Sequence, residues 1–181
     1  MSSLQQVYRG RVWKFGDSVD TNQMAPGGLA GQAMRQAMRD HCLRGLRPDF
    51  NADVKPGDII VAGLNFGCGS SRQTAVEALQ ECGVAVVLAE SVARIHRRNS
   101  IALGLPTFAV PGITALFNDG DEIEVDYPGR RVVGADGRAL AVLPAFPSSV
   151  EQVYEAGGLS NVIRQRLAEQ GFVAPGTAGR A

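Results

Sequence analysis

Apolar and polar positions follow three different patterns along this chain, and each pattern predicts a different part of the fold. Near the start, "VYRGRVWKF" (Val7 to Phe15) mixes β-branched and aromatic residues with polar ones, which predicts a strand. "GDSVDTNQMAPGG" then brings Gly, Asp, Ser, Asn and Pro in quick succession, the punctuation of an ordered loop. From Leu29 to Cys42, the residues Leu29, Ala33, Met34, Ala37, Met38 and His41 recur at helical spacing. "RGLRPDFNADVKPGD" reads as a second loop.

The middle of the chain has a different pattern. "DIIVAG", "VAVVLAE" and "LPTFAV" are short unbroken apolar runs and predict three buried strands. Between them, "SSRQTAVEALQECG" predicts a helix with Ser70 or Ser71 as N-cap and Gly83 as its stop. "SVARIHRRNSIALG" predicts another, from Ser91 to Gly104, with Asn99-Ser100 as a candidate break. Strand, helix, strand, helix, strand calls for parallel pairing through crossover helices. After Pro111, "DEIEVDYPGRRVVGADGRALAVL" alternates around Pro-Gly and Asp-Gly turns, as in a small antiparallel meander. Two helices within about 148–171, parted by Gly157-Gly158, are expected next, and residues 174–181 read as a flexible tail. The expectation is one mixed α/β domain over residues 1–173.

Composition narrows the class. The chain has 181 residues, 45% hydrophobic and 20% charged, which is enough for a real core and is not the make-up of a disordered segment. Eighteen basic residues offset eighteen acidic ones, so no net field favours nucleic acid or an anionic membrane. No apolar run approaches the roughly 20 residues of a bilayer span, and "MSSLQQVYRG" lacks the regions of a signal peptide. Three cysteines (Cys42, Cys68, Cys82) make no CxxC pair and no even disulfide framework. A cytoplasmic, reduced protein is expected, with no membrane and no nucleic-acid partner.

One stretch carries candidate chemistry. In "NFGCGSSRQ", Gly67 and Gly69 let another group approach the main chain closely. The predicted helix start offers unpaired N–H groups, and Arg72 offers a planar fork suited to a carboxylate. Ser70 and Ser71 are possible hydrogen-bond donors, and positive neighbours would help either serine move a proton. The stretch lacks the third glycine of a dinucleotide fingerprint and the lysine of a P-loop. A small carboxylate therefore fits better than a phosphate. A glycine-rich turn with a serine cap and no ligand remains the plain structural alternative.

Three motifs in order resemble one family. "GRVWKFGDSVDTNQMAPG", "VAGLNFGCGSSRQTAVEAL" and "SVARIHRRNSIALGLP" are similar to patterns of 3-isopropylmalate dehydratase small subunits and of the aconitase swivel domain. Those patterns are approximately "GRVWKFGDNIDTDxIIPG", "AGxNFGCGSSREHAxxAL" and "SFARIFYRNAxNxGLP". The resemblance implies an aconitase-type swivelling β/β/α domain with mixed parallel and antiparallel strands. It implies a hydro-lyase that is catalytic only with a separate large subunit. That subunit carries a 4Fe–4S cluster, and this chain ligates no metal. The reaction implied is dehydration of a hydroxy di- or tricarboxylate to an alkene and rehydration at the neighbouring carbon.

By resemblance, Ser70 is the base, Ser71 and Arg72 hold substrate carboxylates, and Asp20, Thr21 and Asn22 line the site. Five departures stand out: Asn22 replaces an acid, Gln73 and Thr74 replace an acid and a histidine, and His96 and Arg97 replace two aromatics. The loop after Asn22 also lacks a recognisable specificity residue, Arg35 being a weak match. The leading expectation is interconversion of 3-isopropylmalate and 2-isopropylmalate. The alternatives are a related dehydratase (homoaconitate, methyl-substituted malate or citrate) or a non-catalytic binding module of the same fold. His96 reads as a helix-surface or interface residue, Trp13 as core, and Cys42 and Cys82 as helix packing.

Overall fold

The computed structural model describes residues 7–25 and 31–172; of the side chains in its second helix, it describes those from Arg35 onward. The Leu29 start expected for that helix and the 174–181 tail lie outside the described residues. β1 (Val7–Lys14) pairs with β2 (Ile59–Ala62) in parallel on one side and with β5 (Glu122–Asp126) antiparallel on the other. Outward from β2, β3 (Val86–Ala89) and β4 (Thr107–Ala109) continue in parallel. Outward from β5, β6 (Arg131–Gly134) and β7 (Ala139–Val142) form the antiparallel meander. The result is a seven-stranded sheet in the order β4-β3-β2-β1-β5-β6-β7.

The short apolar runs are explained by burial on both faces, since successive side chains point to opposite sides. Ile60, Ala62, Val87 and Ala89 enter one core with α1 (Thr21–Met24), α2 (Gly31–His41), α3 (Phe50–Asp53) and α4 (Thr74–Glu81). Ile59, Val61, Val86 and Leu88 enter the other, with α6 (Ile113–Leu116) and α7 (Ser148–Glu155). Trp13 is buried as expected, and its Nε1–H donates to Asp58 Oδ2 at 2.7 Å, which satisfies both buried polar groups. α5 (Arg94–Leu103) is the crossover from β3 to β4, and α8 (Leu159–Glu169) follows α7 across Gly157-Gly158.

Several local expectations need correction. The two stretches read as loops each hold a four-residue helix, α1 and α3, which is too short to show a period in the sequence. Neither Ser70 nor Ser71 caps α4, whose N-cap is Gln73 and has no side-chain cap bond. Ser70 Oγ instead takes N–H bonds from within its own loop, so the helix and its dipole begin further along the chain. Ser91 does not cap α5 either, because its hydroxyl accepts the Asn65 N–H at 2.8 Å and Ala93 is the N-cap. Asn99-Ser100 does not break α5, which runs to Leu103 and ends on left-handed Gly104. The Asn99 amide bonds outward to another loop rather than competing with its own helix backbone.

Candidate active site

Loops leaving the carboxyl ends of β1, β2 and β3 meet at one end of the parallel half-sheet, where open α/β sheets place their ligands. The loop after β1 is stitched to the glycine-rich loop by main-chain bonds. Gly67 N–H donates to Val19 O and Thr21 N–H donates to Cys68 O, each at 2.8 Å. The loop after β3 joins through Phe66 N–H to Ser91 O at 3.0 Å and Ala93 N–H to Phe66 O at 2.9 Å.

The glycines are required by what lies against them. Gly67 has φ +76°, and a Cβ there would overlap the His96 ring. Gly69 has φ +98°, and its Cβ would meet the Asp20 carboxylate. Both positions combine a left-handed backbone with a close side-chain neighbour, a pairing that only glycine accepts without strain.

Ser70, Arg72, Asn22 and Asp20 form one connected group. Arg72 donates to Ser70 Oγ twice, from Nε at 3.1 Å and from its backbone N–H at 3.3 Å. Its Nη2 donates to Asn22 Oδ1 at 3.1 Å. The Asn22 amide donates in turn to Asp20 Oδ1 at 2.8 Å, which also accepts the Asn22 backbone N–H at 2.7 Å. Asp20 is thereby the N-cap of α1, in a capping box completed by Gln23. Ser70 and Asp20 are half-buried, whereas Ser71, Arg72 and Asn22 are exposed.

Thr21 is placed differently from its neighbours. It is buried, and its Oγ1 accepts the Ser70 N–H at 2.8 Å, so it braces the loop from behind. Asn99, to which sequence reasoning gave no role, holds the Ser71 and Arg72 carbonyls from α5 at 3.1 and 3.3 Å. The one available signal for it was the Arg-Asn pair that the chain shares with the family pattern.

His96 is not a surface residue. It is 1% exposed, edge-on to Phe66 with ring centroids 5.3 Å apart, and neither ring nitrogen has a hydrogen-bond partner among the described residues. Burial pushes its pKa down to about 4, so the ring is neutral under ordinary conditions. Arg94, Arg97 and Arg98 are the exposed members of that basic cluster.

The aconitase C-terminal domain family matches residues 21–111. A 3-isopropylmalate dehydratase small subunit of Methanopyrus kandleri is 42% identical over 90% of this chain and 95% of its own length. The chain belongs to the 3-isopropylmalate dehydratase small-subunit family. Within the wider family, a methanogen homoaconitase small subunit of Methanothermobacter thermautotrophicus is 40% identical over 87% of this chain and 91% of its own. The crystal structure of a 3-isopropylmalate dehydratase from Methanocaldococcus jannaschii superposes with a TM-score of 0.81 at 36% identity, covering 92% of this chain and 98% of that one. The mixed sheet described above is therefore the aconitase-type small-subunit fold.

The described residues do not fit an iron–sulfur cluster. No group of three or more His, Cys, Asp or Glu among them could hold a metal ion. Cys42 and Cys82 are buried in the core, and Cys68 alone reaches the glycine-rich loop. No described helix is long and apolar enough to cross a membrane.

Proposed function

We propose that this chain is the small subunit of a hydro-lyase that interconverts 3-isopropylmalate and 2-isopropylmalate through an alkene, with Ser70 moving the proton. The observation that carries this reading is the pair of Arg72 donors on Ser70 Oγ, on an exposed loop at the carboxyl end of the sheet. An alkoxide is a costly base, and two N–H donors, one of them charged, stabilise it where it forms. Ser70 Oγ then removes the weakly acidic C–H proton and returns it at the neighbouring carbon. The remaining guanidinium N–H groups of Arg72, with the exposed Ser71 hydroxyl, hold the substrate carboxylates.

In this reading a 4Fe–4S cluster would come from the large subunit and would supply Lewis acidity toward the substrate hydroxyl. Neither half is active alone in this reading. A second reading, homoaconitate as substrate, is supported by the homoaconitase relative at nearly the same identity.

The test is reconstitution with the cognate large subunit and an intact cluster, followed by assays with 3-isopropylmalate, homoaconitate and methyl-substituted malates. Turnover of 3-isopropylmalate is expected. Ser70→Ala should lower kcat by about 10²- to 10⁴-fold while the two subunits still assemble. Turnover of none of these acids by the loaded complex, or an unimpaired Ser70→Ala variant, overturns the reading.

A further inference from the structure

We propose that Asn99 is a positioning residue: its side-chain amide, reaching from α5, sets the two peptide planes around Arg72 and so aims both Arg72 donors at Ser70 Oγ. The inference rests on the reading of Ser70 as the proton-moving group, and it deepens that reading by naming what holds the donors of Ser70 in place.

The loop has little main-chain support of its own. Among the described residues, no main-chain group of Ser70, Ser71 or Arg72 bonds another main-chain group. Two side chains from other elements take that place. Thr21 Oγ1 accepts the Ser70 N–H at 2.8 Å, and Asn99 Nδ2 donates to Ser71 O at 3.1 Å and to Arg72 O at 3.3 Å. A carboxamide nitrogen carries two hydrogens, one for each carbonyl, and the amide has one usable orientation because its oxygen cannot face them. Asn99 stands on a firm base, since α5 is anchored by the buried His96 and Ser100.

A peptide unit is planar, and in the trans form its C=O and N–H point in opposite directions. The Ser71 carbonyl shares such a plane with the Arg72 N–H. Drawing that carbonyl toward α5 turns the N–H away from α5, where it meets Ser70 Oγ at 3.3 Å. The Arg72 carbonyl belongs to the next plane. With both planes held, the backbone angles at Arg72 are set, and with them the direction in which its side chain leaves. That side chain brings Nε to the same serine oxygen at 3.1 Å. Asn99 thus acts on Ser70 twice through Arg72 and needs no contact with substrate. A hydrogen bond accepted by a peptide oxygen also strengthens the N–H of that peptide as a donor.

Steady-state kinetics of the reconstituted complex test this in wild type, Asn99→Ala and Asn99→Asp. Alanine suits a helix interior better than asparagine, so α5 survives the first change. Aspartate keeps the shape of the side chain and offers the carbonyls no hydrogen. Both variants should lower kcat about 10- to 100-fold with KM changing less, because what is lost is stabilisation of the Ser70 alkoxide. In a Ser70→Ala background, where the two donors have no acceptor, Asn99→Ala should lower kcat no further. A wild-type kcat in either single variant, or an equal loss with and without the Ser70 hydroxyl, overturns the inference.

Amide proton exchange with water, read by NMR on the isolated chain, needs no turnover and separates this inference from the proposed function. The Arg72 N–H should exchange about tenfold faster in Asn99→Ala than in wild type, while the Ser70 N–H, held by Thr21, keeps its rate. An unchanged Arg72 rate sinks the positioning role. The expected change, found beside a wild-type complex inactive on every acid, leaves the aim of the N–H standing and sinks the catalytic reading alone.

Discussion

His96 stands where the family pattern has an aromatic residue, and its setting shows why an aromatic suits the place. The ring packs edge-on to Phe66 beneath Gly67, and both nitrogens are buried with no partner among the described residues. An unfolded histidine takes up a proton near pH 6.5, whereas the folded one, held neutral by burial, does so only at about pH 4. The unfolded chain therefore binds more protons between those values. The full contribution to stability is present above the unfolded pKa and is lost as pH falls toward about 4. The shift corresponds to roughly 3 kcal/mol across that window. His96→Phe should remove this loss and add about 1–3 kcal/mol at pH 7 by eliminating the unpaired nitrogens. Urea unfolding at pH 7 and pH 4.5 checks it, and an equal pH slope in both proteins would contradict the account. Periodicity did not reveal this burial, because "RIHRRN" looks like a solvated basic face until the ring is placed under the neighbouring loop.

At the scale of elements, the site is a seam between loops that lie far apart in the chain. The glycine-rich motif pointed to Ser70 and Arg72, the family resemblance pointed to the Asp20–Asn22 turn, and the structure joins Ser70, Arg72, Asn22 and Asp20 through side-chain hydrogen bonds. They could not show that Thr21 faces inward onto the Ser70 N–H, or that Asn99 holds the loop from α5. Both facts depend on neighbours from other elements. The cap assignments failed for the same reason: Ser70 and Ser91 carry good capping hydroxyls, but N–H groups of the loops reach them first. The seam also makes Gly67 intolerant of change. Gly67→Ala must hold φ +76° with a Cβ in the His96 ring, and should cost roughly 2–4 kcal/mol. Calorimetric melting of Gly67→Ala and of Gly67→Ala/His96→Ala checks the cause. The double variant should lose less than the sum of the two single changes, and strict additivity would rule out the overlap.

Over the whole molecule, the sheet has helices on both faces at its parallel end and a meander at the other, with one core on each face. Cys42 and Cys82 meet where α2 ends near α4. The hydrogen bond to Cys82, together with burial, holds the Cys42 thiol well above its ordinary range. Cys68 lies half-exposed in the site loop. Thiol titration of the folded chain should therefore show one fast-reacting group and two protected ones, and the protected pair should react only at the rate of global unfolding. Fast modification of all three would show that this core opens locally. The sequence by itself determined the strands, the longer helices and their order, because unbroken apolar runs, Gly stops and alternating segments act through local periodicity and turn chemistry. The four-residue helices α1, α3 and α6 are too short to carry a period, and local pattern does not reveal them. The sequence also singled out the short stretch that the proposed function makes the site of chemistry. Only the tertiary structure decided which hydroxyl serves the loop rather than a helix cap, which histidine is neutral and buried, and which amide joins Asp20 to Arg72. Those outcomes turn on distances between residues dozens of positions apart, and such distances exist only once the β1, β2 and β3 loops converge.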